Sequence, residues 1–299
     1  MSVDFMKDDG VFLPMLNDTG RNVFYKTALE LAAPGKTVCD IGTGTGFLSV
    51  LAVHAGAKHV IAVERDLQRF HYAKSIIEKL QLTDRIEVVH GDFLDLDIKA
   101  DVYVSETINT QIFGEDIIKL SNHAQKHGGE FIPGQFCIHA EVYQMHPIFI
   151  VDQSGSEAFE YQPDIDVDPT FANIINTDFQ QQHSLNDTRC RANQLNMLFK
   201  MLPEFTDLKL TKYHQTQPIT VDLHQLNNES DITVTIPFND VKRFQQSMYV
   251  VLFWQAKYGE IIMDCRDVWF GNISKHIIGA TTDIEFRYDP QIRNWRLTY

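Results

Sequence analysis

The sequence predicts an α/β protein in which a parallel sheet is followed by a β-rich region. Two observations predict this fold. In the first half, short apolar runs alternate with helical stretches, whereas segments of the second half alternate apolar and polar residues. Strands that alternate with helices require right-handed crossovers and a parallel sheet covered on both faces. We therefore expect two domains, over residues 1–128, with a helical N-terminal segment, and over residues 129–299.

The predicted elements of the first domain occur in a regular order. Each apolar run of strand length is followed by a glycine or polar turn and then by a helical stretch or the next strand. Short continuous apolar runs fit strands that are buried on both faces. The predicted strands are Val38–Ile41, Val60–Val63, Ile86–Val89 and Val102–Val104, and the predicted helices are Phe47–His54 and Leu67–Leu80.

The second domain begins after two consecutive glycines at 128 and 129. Its alternating segments fit antiparallel strands. A long stretch over residues 152–208 is rich in Gln, Asn and Asp and predicts an insertion with a helix over 191–201. The predicted strands are Phe136–Tyr143, Ile219–Leu223, Ile232–Ile236 and Met248–Phe253.

Composition limits the classes of partner. The 299 residues are 44% hydrophobic, which is enough to bury a core, and their net charge of −14 opposes binding to nucleic acid. No signal sequence or apolar run of membrane-spanning length is present, so we expect a cytoplasmic protein with no membrane partner. The four cysteines are scattered without metal-ligand spacing, so no metal site is predicted. They are Cys39, Cys137, Cys190 and Cys265.

A glycine-rich turn follows the first predicted strand. Asp40 precedes Gly42, Gly44 and Gly46, and Glu64 closes the next strand. Glycines allow a sharp turn and let the backbone approach a ligand closely, while the helix that follows begins with unpaired N–H groups. A carboxylate at the end of the second strand can bind two ribose hydroxyls. The pattern therefore predicts a cofactor site at this edge of the sheet.

The spacing of the glycines distinguishes between two candidate kinds of cofactor. A dinucleotide fingerprint reads G-x-G-x-x-G and meets a pyrophosphate, whereas this segment reads D-x-G-x-G-x-G. Asp40 would repel a pyrophosphate but suits the cationic groups of S-adenosylmethionine (SAM). The segment resembles the first motif of class I SAM-dependent methyltransferases, which have a Rossmann-like fold. The resemblance implies that Asp40 and the glycines line the amino-acid end of SAM, Glu64 binds its ribose, and Asp92 and Phe93 contact its adenine.

Two glutamates follow the fourth predicted strand. Glu106 comes directly after it, at the sheet edge where ligands of parallel sheets bind, and Glu115 returns to the same cleft if the residues between them form a loop. Two converging carboxylates repel each other unless a cation lies between them. A guanidinium would fit such a pair through bidentate hydrogen bonds. We therefore predict Glu106 and Glu115 as the catalytic residues.

Ser105-Glu106 with a second glutamate nine positions on resembles the double-glutamate loop of the protein arginine methyltransferases. The segment from Met15 to Arg21 resembles the M-L-x-D-x-x-R motif of that family, which implies that Arg21 binds the SAM carboxylate and that Tyr25 fills the aromatic position after it. Gly129 to Pro133 resembles the G-x-x-x-P segment that leads into the family's barrel, which implies that the β-rich region is an abbreviated barrel-like domain.

The chain departs from the family pattern at several positions. Thr107, Ile108, Thr110 and Gly114 replace the family's Trp, Met and Tyr residues in the glutamate loop. No T-H-W triplet is present, and the segment 266–269 reads Arg-Asp-Val-Trp in that region. These departures leave the acceptor open among protein arginine, a peptide, free arginine and another guanidine metabolite. They also leave a homodimer and the number of methyl groups added open.

The sequence predicts a SAM-dependent N-methyltransferase that acts on the guanidinium of arginine and needs no metal. Two alternatives remain at this level. One is a class I methyltransferase that acts on another N, O or C acceptor, and the other is a non-catalytic SAM-binding subunit. A dehydrogenase is disfavoured by the glycine spacing.

Overall fold

The computed structural model describes residues 15–109, 111–144, 170, 211–226, 230–242, 248–266, 273–277 and 280–299. The predicted insertion over 152–208, apart from Thr170, and the predicted helix over 191–201 lie outside the described residues. Thr110 also lies outside them.

The first half forms a parallel sheet, as predicted, but the sheet has five strands where four were predicted. Its order is β3-β2-β1-β4-β5, with every neighbouring pair parallel. The strands are β1 (Thr37–Ile41), β2 (His59–Glu64), β3 (Ile86–His90), β4 (Val102–Ser105) and β5 (Glu130–Ile132). The helices are α1 (Thr19–Ala32), α2 (Phe47–His54), α3 (Leu67–Lys79) and α4 (Ile117–Gln125).

The register of the sheet brings three strand ends together. Ile41 at the end of β1 lies opposite Val63 on β2 and Ser105 on β4. The residues that follow or close these strands therefore share one edge of the sheet, because parallel strands end on the same side. Asp40, Glu64 and Glu106 all come from this edge.

Local capping fixes two of the helices that border this edge. The Asp18 carboxylate accepts from the Arg21 backbone N–H at 3.2 Å and caps α1. Asp66 caps α3 by accepting from the backbone N–H groups of Gln68 and Arg69 at 3.0 and 2.9 Å. A side-chain oxygen at this position satisfies N–H groups that have no partner inside the helix.

The second half is antiparallel and β-rich, which confirms the predicted fold class. One sheet has the order β11-β10-β6-β7, with β12 paired to β10 and β8 paired to β6, and a smaller sheet has the order β14-β13-β9. A short helical turn, α5 (Phe238–Val241), follows β9. The strands are β6 (Gln135–Gln144), β7 (Thr211–Gln215), β8 (Ile219–Asp222), β9 (Thr233–Ile236), β10 (Met248–Tyr258), β11 (Ile261–Asp264), β12 (Ile273–Ile277), β13 (Ile284–Asp289) and β14 (Asn294–Thr298).

One buried apolar cluster extends through both halves, from Phe24 on α1 through the parallel sheet to Trp254 on β10 and Trp295 on β14. The fifth parallel strand, β5, lies just after the predicted boundary at residue 128, and the division into two domains stays a prediction. Among the helices of the described residues, none combines the length and apolar character that crossing a membrane requires.

Candidate active site

The predicted glycine turn forms one wall of a cavity. Gly42 and Gly46 have φ values of +76° and +83°, a left-handed backbone that side chains disfavour. Gly46 precedes the first residue of α2, so the turn directs the start of that helix toward the cavity. Gly44 donates its backbone N–H to Glu64 at 3.0 Å. We call this surface, residues 40–49 with Glu64, the glycine wall.

Asp40 is the buried acid of the glycine wall. Thr43 and Ser49 each donate a hydroxyl to its Oδ2 at 2.6 Å. Its other oxygen, Oδ1, is buried with no hydrogen-bond partner among the described residues, and Asp40 lines the cavity. Burial raises the pKa of Asp40 to about 6, although the Ser49 and Thr43 hydrogen bonds oppose the shift. A buried acceptor without a partner requires a donor from a ligand to offset its desolvation.

Glu64 and Asp92 lie on the adjacent part of the same cavity. Glu64 is 4% exposed and accepts backbone N–H bonds from Gly44 and from Asp66, the latter at 2.9 Å. Asp92 accepts from the Leu94 N–H at 3.0 Å and thereby caps a short 3-10 helix at Phe93–Asp95. Phe93 lines the cavity too, but its ring packs in the core against Tyr103 and His123.

Arg21 from α1 forms an ion pair with Glu106. The sequence predicts both residues as part of the site but not this contact between them. Arg21 Nη1 lies 2.9 Å from Glu106 Oε2, and both side chains are at most 7% exposed. The Tyr25 hydroxyl, one helical turn further on, donates to the Ser105 carbonyl at 3.0 Å. Burial raises the pKa of Tyr25 well above its ordinary value, so this hydroxyl stays a donor. Tyr25 thus fixes the backbone directly before Glu106.

Glu106 presents one unused oxygen. Its Oε1 is buried and has no hydrogen-bond partner among the described residues. Burial raises the pKa of Glu106 to about 8; Arg21 lowers it, and the negative charge of Glu115 raises it further. Both carboxylates line the same cavity, where the negative charge of Glu115 acts on Glu106.

Glu115 is exposed at the mouth of this cavity. Partial desolvation raises the pKa of its carboxyl group, and Arg69 and Arg65 on the facing wall oppose the shift. The loop that carries Glu115 is anchored in the core by three buried apolar side chains, Ile108, Ile112 and Phe113. Residues 106–109 and 111–119 together with Arg293 form what we call the loop wall.

The loop residues that differ from the family pattern fit against their neighbours. A Cβ on Gly114 would lie 2.6 Å from Asn109 Nδ2, so Asn109 leaves no room for the larger residue of the family pattern. Asn109 Oδ1 accepts from the Gln111 N–H at 2.9 Å. The Thr107 hydroxyl lies 3.0 Å from Ser105 Oγ. These contacts hold the loop without the family's Trp, Met and Tyr residues.

The hairpin of β13 and β14 holds this loop from outside. The Tyr288 hydroxyl donates to the Phe113 carbonyl at 2.8 Å, and Trp295 Nε1 donates to the Gln111 carbonyl at 3.0 Å. Arg293, in the turn between β13 and β14, lines the cavity and lies 2.8 Å from Asp116. Arg266 instead pairs with Asp264 at 2.7 Å. Residues 267–269 lie outside the described part of the chain.

The structure brings nine of the ten sequence-predicted site residues to one cavity of about 450 Å³, which is the size of a small-ligand site. They are Arg21, Asp40, Gly42, Gly44, Glu64, Asp92, Phe93, Glu106 and Glu115 as lining residues, with Gly46 at the adjoining helix start. Cationic residues that sequence reasoning missed also line it, namely Arg65, Arg69, Lys119 and Arg293. Within the described residues, no group of three or more His, Cys, Asp or Glu side chains could hold a metal ion.

The parallel sheet with a glycine turn and acidic strand ends at one edge defines the fold of a class I methyltransferase. The sequence profile of a family described as "Methyltransferase domain" matches residues 32–185, about half of the chain. The chain therefore belongs to the methyltransferase-domain family. The residues of the glycine wall fit SAM, because an unpaired buried carboxylate oxygen and an acidic strand end match its cationic and hydroxyl groups.

Individual relatives are similar in sequence to part of this chain. Protein arginine N-methyltransferase 9 of Mus musculus is 36% identical over 121 residues, which cover 38% of this chain and 14% of that protein. Arginine N(omega)-methyltransferase of Streptomyces achromogenes subsp. streptozoticus is 32% identical over 150 residues, covering 46% of this chain and 42% of that protein. The chain thus spans less than half the length of these relatives.

Solved structures extend the likeness across the whole fold. The crystal structure of PRMT6 aligns with 98% of this chain and 98% of its own at a TM-score of 0.60 and 18% identity. Protein arginine methyltransferase 10 of Arabidopsis thaliana aligns with 96% of this chain and 87% of its own at a TM-score of 0.56 and 14% identity. The chain therefore has the fold of the protein arginine methyltransferases.

Proposed function

We propose that the chain transfers a methyl group from SAM to a guanidinium nitrogen of an arginine-type substrate. One observation carries the proposal. Glu106 already holds one guanidinium, that of Arg21, on Oε2, while its buried Oε1 has no partner among the described residues. Carboxylates bind guanidinium groups through paired, charge-assisted hydrogen bonds. Glu106 therefore has both the chemistry and a free acceptor for a second guanidinium.

The two carboxylates of the loop wall favour a cation between them. Burial and the negative charge of Glu115 both raise the pKa of Glu106, because they disfavour its ionised form. A positively charged substrate between the two carboxylates would offset their repulsion. A carboxylate on each side would hold the planar guanidinium and keep its positive charge on the nitrogens bonded to the carboxylates. The remaining nitrogen would then be the better nucleophile.

The residues of the glycine wall would hold SAM. Gly42, Gly44 and the start of α2 would border its amino-acid end with Asp40, Glu64 would bind the ribose, and Asp92 the adenine. Bound SAM supplies an electrophilic methyl group on a sulfonium centre. The chain contributes chiefly proximity and orientation by placing the acceptor nitrogen beside that group.

A proton must leave the guanidinium when one of its nitrogens is methylated, because the group would otherwise carry two positive charges after the neutral sulfide departs. Glu115 suits this role, since it lies at the cavity mouth in contact with solvent and its pKa is raised. It can accept the proton and pass it to water. Glu106, enclosed by protein, would remain the binding group.

The direct test is incubation with methyl-labelled SAM and a panel of guanidines and simple amines, with products identified by mass spectrometry. We expect label on a guanidinium nitrogen. Label on an amine, hydroxyl or carbon acceptor would replace this proposal with the broader methyltransferase. No transfer to any acceptor, with SAM still bound, would favour a non-catalytic subunit.

Glu106→Gln tests the role of the carboxylate. We expect kcat/KM to fall by roughly 100-fold or more, because losing one charge of a buried ion pair costs a few kcal/mol. SAM binding should persist, since Arg21 is released. Glu130→Gln makes the same change outside the cavity, where Glu130 bonds to Lys36 at 3.2 Å, and should leave turnover unchanged. Turnover retained in Glu106→Gln would remove the proposed role.

The cytoplasmic location expected from the sequence remains part of this proposal, and so does a homodimer, which the sequence leaves open. Size-exclusion chromatography with light scattering on the full chain would test the homodimer.

A further inference from the structure

Two cations of the loop wall share a single acid beside Glu115. Lys119 Nζ lies 2.8 Å from Asp116 Oδ1, and Arg293 Nη2 lies 2.8 Å from Asp116 Oδ2. The Lys119 and Arg293 side chains are 36% and 47% exposed, whereas Asp116 is 12% exposed. All three line the cavity. One carboxylate cannot neutralise two cations, so this corner of the cavity has an excess of positive charge.

The backbone holds this cluster in place. Asp116 and Arg293 have φ values of +67° and +54°, a left-handed conformation that residues with a side chain rarely adopt. Such backbones persist where surrounding contacts over-determine them. Here the contacts are the Tyr288 and Trp295 hydrogen bonds to the loop, on either side of Arg293 in sequence. The cation of Arg293 is therefore fixed relative to the loop that carries Glu115.

The charged residues of the loop wall are close in the chain. Glu106 directly follows β4, Glu115 is exposed, and Asp116 is the next residue; all three line the cavity. The facing residues Arg65 and Arg69 act on Glu115 and offset its charge. The Lys119–Asp116–Arg293 cluster therefore keeps a net positive charge. That charge could bind an anionic group of a ligand that extends past Glu115.

We propose that Lys119 and Arg293 bind the α-carboxylate of the substrate whose guanidinium lies on Glu106 and Glu115. This inference rests on the proposed function and narrows its substrate class to an arginine that has its own carboxylate. Such an arginine is either the free amino acid or the C-terminal residue of a peptide. An arginine inside a peptide places neutral amides at this position and forgoes the charge-assisted contacts.

The experiment compares four substrates at saturating SAM. They are L-arginine, its decarboxylated analogue agmatine, a peptide that ends in arginine, and the same peptide with an amidated C-terminus. We expect wild-type kcat/KM to be roughly 10- to 100-fold higher for the two substrates with a carboxylate, the range that one or two charge-assisted hydrogen bonds provide. The two peptides also separate the free amino acid from the C-terminal residue as the source of the carboxylate.

Variants assign the effect to the two cations. In Arg293→Ala and Lys119→Ala we expect KM for L-arginine to rise about 10-fold or more with little change in kcat, while both constants for agmatine stay the same. Arg293→Lys should recover part of the loss. The matched control is Arg296→Ala on the same hairpin, where Arg296 bonds to Asp289 and lies outside the cavity lining.

Two results would overturn the inference while leaving the proposed function intact. One is equal wild-type activity on L-arginine and agmatine. The other is an Arg293→Ala variant that loses activity equally on both, which would make Arg293 a structural clamp. Calorimetric SAM binding by each variant shows that it is folded. If wild type methylates no guanidine, the proposed function fails, and this inference fails with it.

Discussion

The two walls of the cavity are built in different ways. The glycine wall is local, because Asp40, Thr43 and Ser49 bond to one another within ten residues of chain and Glu64 reaches back to the same turn. The loop wall depends on distant chain, since its carbonyls at Gln111 and Phe113 are held by side chains 184 and 175 residues away. The cofactor side can therefore form from local sequence, whereas the acceptor side needs the C-terminal hairpin.

The largest expected effect comes from breaking the distant support of the loop wall. Trp295 is 7% exposed, so Trp295→Ala should lower the free energy of unfolding by about 3–5 kcal/mol. It should also abolish methylation of the guanidine. SAM binding by the folded fraction should change little. Denaturant unfolding, calorimetry and turnover measure the three quantities.

Trp295→Phe is the companion variant, because it keeps one aromatic ring but loses the bond to Gln111 and part of the buried ring surface. It should lower the free energy of unfolding by about 1–3 kcal/mol, less than Trp295→Ala. If Trp295→Ala weakens SAM binding as much as it weakens turnover, the two walls are not independent.

The two walls should also titrate at different pH. A carboxylate binds a cation only when ionised, so affinity rises with pH up to the pKa of the carboxylate and then levels. The pKa of Asp40 is raised to about 6 and that of Glu106 to about 8. Between pH 6 and 8 we expect guanidine binding to the SAM-free protein to tighten by up to about 100-fold. Over that range SAM binding should stay nearly level.

Isothermal calorimetry at several pH values measures both affinities. Glu106→Gln should abolish the pH dependence of guanidine binding. A guanidine affinity that does not change between pH 6 and 8 would contradict the raised pKa of Glu106.

A smaller effect is expected on the glycine wall alone. Ser49→Ala removes one of the two hydroxyls that bond to Asp40, and hydrogen bonds to charged groups contribute about 1.5–3 kcal/mol. We expect SAM affinity to fall about 10-fold while kcat at saturating SAM is unchanged. Ser121→Ala, a buried serine on α4 outside the cavity lining, is the matched control. A change in kcat rather than in SAM affinity would contradict this assignment.

The smallest effect is expected for Tyr288→Phe, which removes only the hydroxyl that bonds to Phe113. It should lower stability by about 1 kcal/mol and raise the KM for the guanidine a few-fold. Tyr258→Phe, whose hydroxyl bonds to Glu130 outside the cavity, should leave that KM unchanged. Equal effects of the two variants on KM would show that the hairpin does not position the loop.

The sequence predicted the local parts of the fold and site because their signals lie within short windows. The helix Phe47–His54 was predicted with its observed bounds, and Asp40, the glycines and Glu64 were found from one motif and the next strand end. Arg21 and Glu106 were each predicted to lie in the site. Their bond to each other was not, since it joins residues 85 positions apart.

Lys119 and Arg293 were missed for the same reason. Neither belongs to a motif, and nothing in the local sequence around Arg293 distinguishes that turn from any other exposed turn. Arg293 has a left-handed φ, but arginine rarely adopts this conformation, so its presence in the sequence does not predict such a turn. Glycine or asparagine at this position would have predicted it. Only the pairing of β13 with β14 and the seating of their hairpin on the loop bring Arg293 to the cavity.

The bond between Arg21 and Glu106 has a consequence for ligand binding. In the SAM-free protein an internal arginine occupies one of the two oxygens of the acid that a substrate arginine needs, so the substrate has only the other oxygen to bind. A ligand that draws Arg21 toward its own carboxylate would free the second oxygen. By thermodynamic reciprocity each of the two ligands would then strengthen the binding of the other, and methyl donor and acceptor would assemble in the cavity as a pair.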